Sequence, residues 1–145
     1  MSTSTATPQP TLEVGEKIPE FVVPLTIQRM VMEAAANRDF ASIHHDTAVA
    51  QDAGAPDMFV NTMFLQTMFE LMLRQWTGPA GRLRRLGFQM KIFNCPGDIL
   101  RCAGEVTSTR VNADRTVVDV DVWIDSQKGR TVVGTATVDY PLEVK

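Results

Sequence analysis

The chain has 145 residues, 14 basic against 17 acidic side chains, a net charge of -3 and 44% apolar residues. That length makes one domain able to bury about two-thirds of its unfolded surface, and the composition excludes a disordered, collagen-like or disulfide-stapled chain. The longest apolar runs, such as Phe21-Val22-Val23 and Met63-Phe64-Leu65, fall far short of the roughly 20 residues that span a membrane. No membrane is expected, and because the basic residues form no stripe, no nucleic acid either.

Residues 1–11 are rich in Ser, Thr and Pro, and no positive side chain precedes Lys17. Nothing there resembles a signal peptide, so residues 1–15 read as a flexible tail of a cytoplasmic protein and 16–145 as a single domain. Phe21–Leu25 predicts a short strand, with Pro24 favouring a sheet edge. Thr26 then caps a helix to about Asn37 that places Ile27, Val31 and Ala34 on one face. Asp46 or Thr47 starts a short helix that Gly54 ends.

From Met63 to Trp76 the chain is apolar almost all round, as expected of a buried helix. Asn61 or Thr62 caps it and Gly78-Pro79 stops it. Its polar stripe is Gln66, Glu70 and Arg74, where Glu70 and Arg74 can pair one turn apart. Four strands follow. Leu86, Phe88, Met90 and Ile92 alternate in the first; Asn94–Gly97 turns into the second, Asp98 to about Val111. Val118, Val120, Val122 and Ile124 alternate in the third. The fourth, Thr131–Tyr140, has Gly134 and Ala136 in its middle, leaving room for the close approach of something bulky. Helices first and strands afterwards make an α+β pattern. A long apolar helix with little but an antiparallel sheet to cover it predicts a sheet wrapped around the helix, the hot-dog arrangement.

Cys95 and Cys102 are too few and wrongly spaced for a disulfide framework and read as inert thiols. The two histidines stand together, at 44 and 45. Asp39 and His44 lie five residues apart between two helices, where a turn can bring both side chains onto one water molecule. A desolvated carboxylate can take a proton from that water, and an imidazole can hold the water or relay the proton back. His45 reads as a structural or surface group and Asp46 as a helix cap. A zinc site from His44, His45 and Asp46 would need further converging ligands, and no metal is expected.

The run Asp39-x4-His44-x5-Ala50 followed by Gly54 resembles the signature of MaoC-like (R)-specific enoyl-CoA hydratases and dehydratases, which carry Asp-x-Asn-Pro-(Ile/Leu)-His. Here Ala41-Ser42 replace the Asn-Pro, and Asn61-Thr62 replace the family's His-Gly at the start of the central helix. Pro96–Leu100 and Gly104–Thr107 resemble the family's second-strand entry. Arg38-Asp39-Phe40, His44-His45-Asp46 and Phe59-Val60-Asn61 look most like the small MaoC-like subunit of actinobacterial steroid side-chain hydratases.

The resemblance implies syn addition of water to a trans-2-enoyl-CoA, giving a (3R)-3-hydroxyacyl-CoA, with Asp39 and His44 catalytic and no cofactor beyond the acyl-CoA thioester substrate. Asn61 and Thr62 would serve the oxyanion and substrate, the Thr62 backbone N–H being the candidate donor to the thioester oxygen. Arg82, Arg84 and Arg85 are candidates for the CoA phosphates, with solvated strand ends as the alternative. Glu70 is the competing catalytic residue, for a hot-dog acyl-CoA thioesterase; a non-catalytic subunit completing a partner's acyl pocket is the third reading. Exposed sheet edges predict pairing, as a homodimer or, as the resemblance implies, a heteromer with a second MaoC-like subunit.

Overall fold

The computed structural model describes residues 10–142. In chain order it comprises β1 (Lys17–Pro24), α1 (Ile27–Ala36), a 3-10 turn (Ser42–His44), α2 (Thr47–Asp52), α3 (Thr62–Thr77), a second 3-10 turn (Gly78–Ala80), β2 (Arg82–Met90), β3 (Ile99–Asn112), β4 (Arg115–Ser126) and β5 (Gly129–Pro141). The strands form one antiparallel sheet in the order β1-β3-β4-β5-β2. This sheet curves around α3 in a hot-dog fold. No helix among the described residues is long and apolar enough to cross a membrane.

Alternation in β4 puts Val118, Val120, Val122 and Ile124 on the helix side, each at most 1% exposed, as the period-two spacing requires. Leu65, Phe69, Met72 and Leu73 of α3 meet them in the core. A side chain as large as Phe69 contributes roughly 1.5–3 kcal/mol on full burial. The expected close approach at Gly134 is strand on strand: a Cβ there would lie 2.4 Å from the Gly87 carbonyl oxygen and 2.7 Å from Phe88 Cβ, and Phe88 in turn packs against Phe69. Cys95 and Cys102 are both buried free thiols, and burial raises each above its ordinary pKa.

Several expectations are corrected. The first strand begins at Lys17 rather than Phe21 and ends at Pro24, with an irregularity between Ile18 and Phe21 that accommodates Pro19. In α1 the core-facing line is Met30 and Ala34, whereas Ile27 and Val31 are exposed. Only this i,i+4 pair is buried. β2 stops at Met90, because the amides of Lys91 and Ile92 both turn to the Thr131 carbonyl, and Ile92 is exposed. α3 is not enclosed on every side: Met63 and Leu71 share an open line down the helix, each 42% exposed.

Of the expected tail, residues 1–9 lie outside the described residues. Residues 11–16 are hydrogen-bonded: Gly15 N donates to Val106 O at 2.9 Å, Thr109 Oγ1 donates to Leu12 O, and Trp76 Nε1 donates to Glu16 Oε1 at 3.0 Å.

Candidate active site

The way α1 ends delivers Asp39. Arg38 adopts a left-handed conformation with φ of 57°, and the amides of Arg38 and Asp39 donate to the carbonyls of Ala35 and Ala34 at 3.0 and 2.9 Å. This is the paired closure of a Schellman motif. It satisfies the last carbonyls of the helix and turns the chain sharply, leaving Asp39 as the first residue beyond. Its Oδ1 then accepts the Ala41 amide at 3.3 Å, a local carboxylate turn leading into the 3-10 turn that carries His44. Asp46 caps α2, accepting from Ala48 and Val49, and Gly54, with φ of 91°, follows the helix end. The 39–54 segment is therefore fixed at both ends.

His44 is 7% exposed. Its Nδ1 donates to Phe59 O at 2.8 Å, because a carbonyl can only accept, and this sets the tautomer of the neutral ring. Phe59 also meets the imidazole edge to face at 5.3 Å and packs on Phe93. The remaining nitrogen, Nε2, lies 3.4 Å from Asp39 Oδ2. Asp39 Oδ2 also accepts from Asn61 Nδ2 at 3.1 Å. Asn61 in turn caps α3, its Oδ1 accepting the Phe64 amide at 2.9 Å.

The Asn61 hydrogen bond first, then the Ala41 amide, and the proximity of His44 hold the Asp39 carboxyl below its ordinary pKa, against a desolvation effect in the opposite direction. With its Nδ1–H given to Phe59 O, the neutral tautomer of His44 presents the Nε2 lone pair to the Asp39 carboxylate. Both are acceptors, so the group that satisfies them together is a double donor, and a water molecule is the smallest. Thr62 begins α3 beside Asn61, and the first amides of a helix have no intrahelical acceptor. Asn61 Oδ1 takes the Phe64 amide, which leaves the Thr62 and Met63 amides without an intrahelical acceptor.

Asp39, His44, Asn61 and the start of α3 are therefore brought together. The arginines are not part of that group. Arg84 and Arg82 border a hollow of about 630 Å³ beside Leu73, Arg74 and Thr77, at the other end of α3; a helix of 16 residues is roughly 24 Å long. Arg84 is bonded through Nε to Asp139, a buried carboxylate that Arg115 also faces at 2.5 Å. Arg85 is exposed on β2. Glu70 is hydrogen-bonded to Gln66 at 2.8 Å, and no Glu70–Arg74 ion pair occurs among the described residues, which corrects the expected pairing. His45 is exposed, and no cluster of three His, Cys, Asp or Glu side chains among the described residues is placed to hold a metal ion.

The residue roles that the sequence does not reveal are main-chain or distant ones. The Phe59 carbonyl that orients His44 has no side-chain signature, and Asn61 reaches Asp39 across 22 positions.

No protein-family model matches the chain. Over 132 residues, covering 89% of this chain and 95% of the relative, it is 30% identical to the 3-oxo-4,17-pregnadiene-20-carboxyl-CoA hydratase beta subunit of Mycobacterium tuberculosis. Among solved structures it is similar to the ChsH1-ChsH2 complex from Mycobacterium tuberculosis, with a TM-score of 0.80 and 27% identity over 88% of this chain and 98% of that one. It is equally similar in fold to the (R)-hydratase from A. caviae involved in PHA biosynthesis, with a TM-score of 0.80 and 26% identity over 90% and 98%. Shared sequence along nearly the whole length and a common fold around a central helix place the chain in the MaoC-like (R)-hydratase and dehydratase family.

Proposed function

We propose that the chain is an (R)-specific enoyl-CoA hydratase that adds water to a trans-2-enoyl-CoA through Asp39 and His44. The observation carrying this reading is the 3.4 Å approach of Asp39 Oδ2 to His44 Nε2. A water donating one hydrogen to each keeps its lone pairs for an electrophilic carbon. Asp39 takes a proton as the water oxygen bonds to C3, while electron density moves through C2 to the thioester oxygen. The Thr62 amide stabilises that oxyanion. The dyad then returns the proton to C2, so one water is consumed and its hydrogen and hydroxyl are added to the two carbons. Base, relay and donor all come from the chain, and the proposal includes no cofactor.

Asp39 keeps 32% of its side chain exposed, and Phe40 beside it is 71% exposed. The hollow at the end of α3 and a second of about 640 Å³ beside Trp123 and Arg130 include neither dyad residue. We therefore assign the wall of the acyl pocket to a second MaoC-like subunit. The complex seen for ChsH1 and ChsH2 supports a heteromer, and the pregnadiene-carboxyl-CoA in the relative's name supports a bulky, steroid-derived acyl group. The proposed contact with a CoA phosphate passes to Arg85, since Arg84 is engaged by Asp139.

The test is the loss of enoyl-thioester absorbance with short, long and steroid-derived trans-2-enoyl-CoA substrates, with and without candidate partner subunits. Hydration of the bulky substrate in the presence of a partner is expected. Release of free CoA thiol in place of hydration would favour the thioesterase reading, and no turnover with any partner would favour a non-catalytic subunit.

A further inference from the structure

Asn61 stands where the two sides of the site join. Capping alone would explain half of its contacts: Oδ1 accepts the Phe64 amide at 2.9 Å, as an N-cap side chain does. Capping does not require the other end of the amide. That end donates to Asp39 Oδ2 at 3.1 Å, and Asn61 is 4% exposed, so water does not compete freely for either group. Ser, Thr and Asp also cap helices well. Among the common caps, Asn combines an acceptor for the helix with a planar amide donor that reaches a carboxylate.

We infer that Asn61 is a positioning residue that ties Asp39 to the first turn of α3, holding the carboxylate and the Thr62 amide at one separation. The inference rests on the Asp39–His44 hydratase reading and adds a residue that need touch neither water nor thioester. Its consequence is geometric: a reaction that uses a base at C3 and a donor at the thioester oxygen is sensitive to their spacing, and a misplacement of about 1 Å can cost on the order of 100-fold in rate. The same amide hydrogen bond lowers the Asp39 pKa. The other titratable groups facing Asp39 are His44 from the 3-10 turn and Glu33 from α1, whose carboxyl is raised first by burial and then by the Asp39 charge. The first turn of α3 carries no acidic residue.

Two substitutions separate positioning from capping. Asn61→Ser and Asn61→Asp each keep a good cap and remove the amide donor: the serine hydroxyl stops short of the reach of the longer amide side chain, and the aspartate carboxylate only accepts and sets a like charge beside Asp39. Expected for Asn61→Ser is a fall of about 10- to 100-fold in kcat for trans-2-enoyl-CoA hydration, with KM changed by less than about threefold. The Asp39 carboxyl carbon, followed by NMR, should titrate at higher pH in Asn61→Ser and higher still in Asn61→Asp. Thermal unfolding of Asn61→Ser should stay within about 4 °C of wild type, the shift that roughly 1 kcal/mol produces in a domain of this size. A wild-type kcat in Asn61→Ser, or a lowered kcat with the Asp39 titration unmoved, would overturn the inference. Asp39→Asn run alongside separates the two levels: if it is inactive while Asn61→Ser is fully active, only the role of Asn61 fails, whereas a fully active Asp39→Asn removes the dyad reading itself.

Discussion

Asp39 Oδ2 and His44 Nε2 approach to 3.4 Å, each anchored from behind by a group outside its own loop. Phe59 O holds the far side of the imidazole, and the Asn61 amide holds the carboxylate. Loop 58–61 therefore orients both members of the dyad. It is itself fixed by Val60 N donating to Asn94 O at 3.1 Å.

The ionisation of Asp39 can be followed directly. Its pKa is lowered, chiefly by Asn61 and then by the Ala41 amide, so the group binds its proton more weakly in the folded than in the unfolded chain. The stability it contributes is present above the unfolded pKa of about 3.9 and is lost as pH falls through the lower folded value. Carbon NMR of the Asp39 carboxyl should show a midpoint below 3.9. A midpoint above 5 would mean that desolvation outweighs the hydrogen bonds.

Arg38 adopts a positive φ that a side chain disfavours by roughly 1–2 kcal/mol. Glycine removes that strain and lengthens the list of unfolded conformations, so the two effects oppose each other. Arg38→Gly should raise stability by about 0.5–1 kcal/mol in denaturant unfolding. Destabilisation would indicate that the arginine side chain makes compensating contacts.

Gly134→Ala tests the tight pairing of β5 with β2. The new methyl meets the Gly87 carbonyl at 2.4 Å and Phe88 at 2.7 Å, and neither backbone neighbour can swing aside. A loss of about 1–3 kcal/mol is expected from such overpacking, read from the urea midpoint at unchanged slope.

Asp139 lies 3% exposed between Arg84 and Arg115. Burial alone would raise its pKa, but the hydrogen bonds from Arg115 and Arg84 outweigh it and the pKa is lowered. Asp139→Asn leaves the partly buried Arg115 without a counter-ion and should cost about 3 kcal/mol, the low end for a broken buried pair because Arg84 is half exposed. The difference between wild type and variant should shrink as pH falls below about 3.9 through the lowered folded value.

Much of this architecture was legible because the signals were local. Thr26, Asp46, Asn61 and Gly78 mark helix ends by side-chain or backbone chemistry that acts within four residues. The alternation in β4 names its buried face without reference to any other strand. The Asp39–His44 pair was legible from its spacing within one loop together with the resemblance of Asp39-x4-His44-x5-Ala50 to the MaoC-like signature. The Asn61–Asp39 contact joins distant segments, and the Arg84–Asp139–Arg115 group depends on the β2–β5 and β4–β5 registers, which put Arg82 and Val117 opposite Asp139. The start of β1 was obscured by Lys17, Pro19 and Glu20, residues that a solvent-facing edge strand tolerates.

The most direct measurement of the central claim is kcat/KM for hydration of a trans-2-enoyl-CoA by Asp39→Asn and His44→Ala, each with its partner subunit and with folding verified by circular dichroism. A dyad acting on one water predicts losses of about 100- to 10,000-fold in each, far less than multiplicative when the two are combined. Wild-type rates in both folded variants would contradict it.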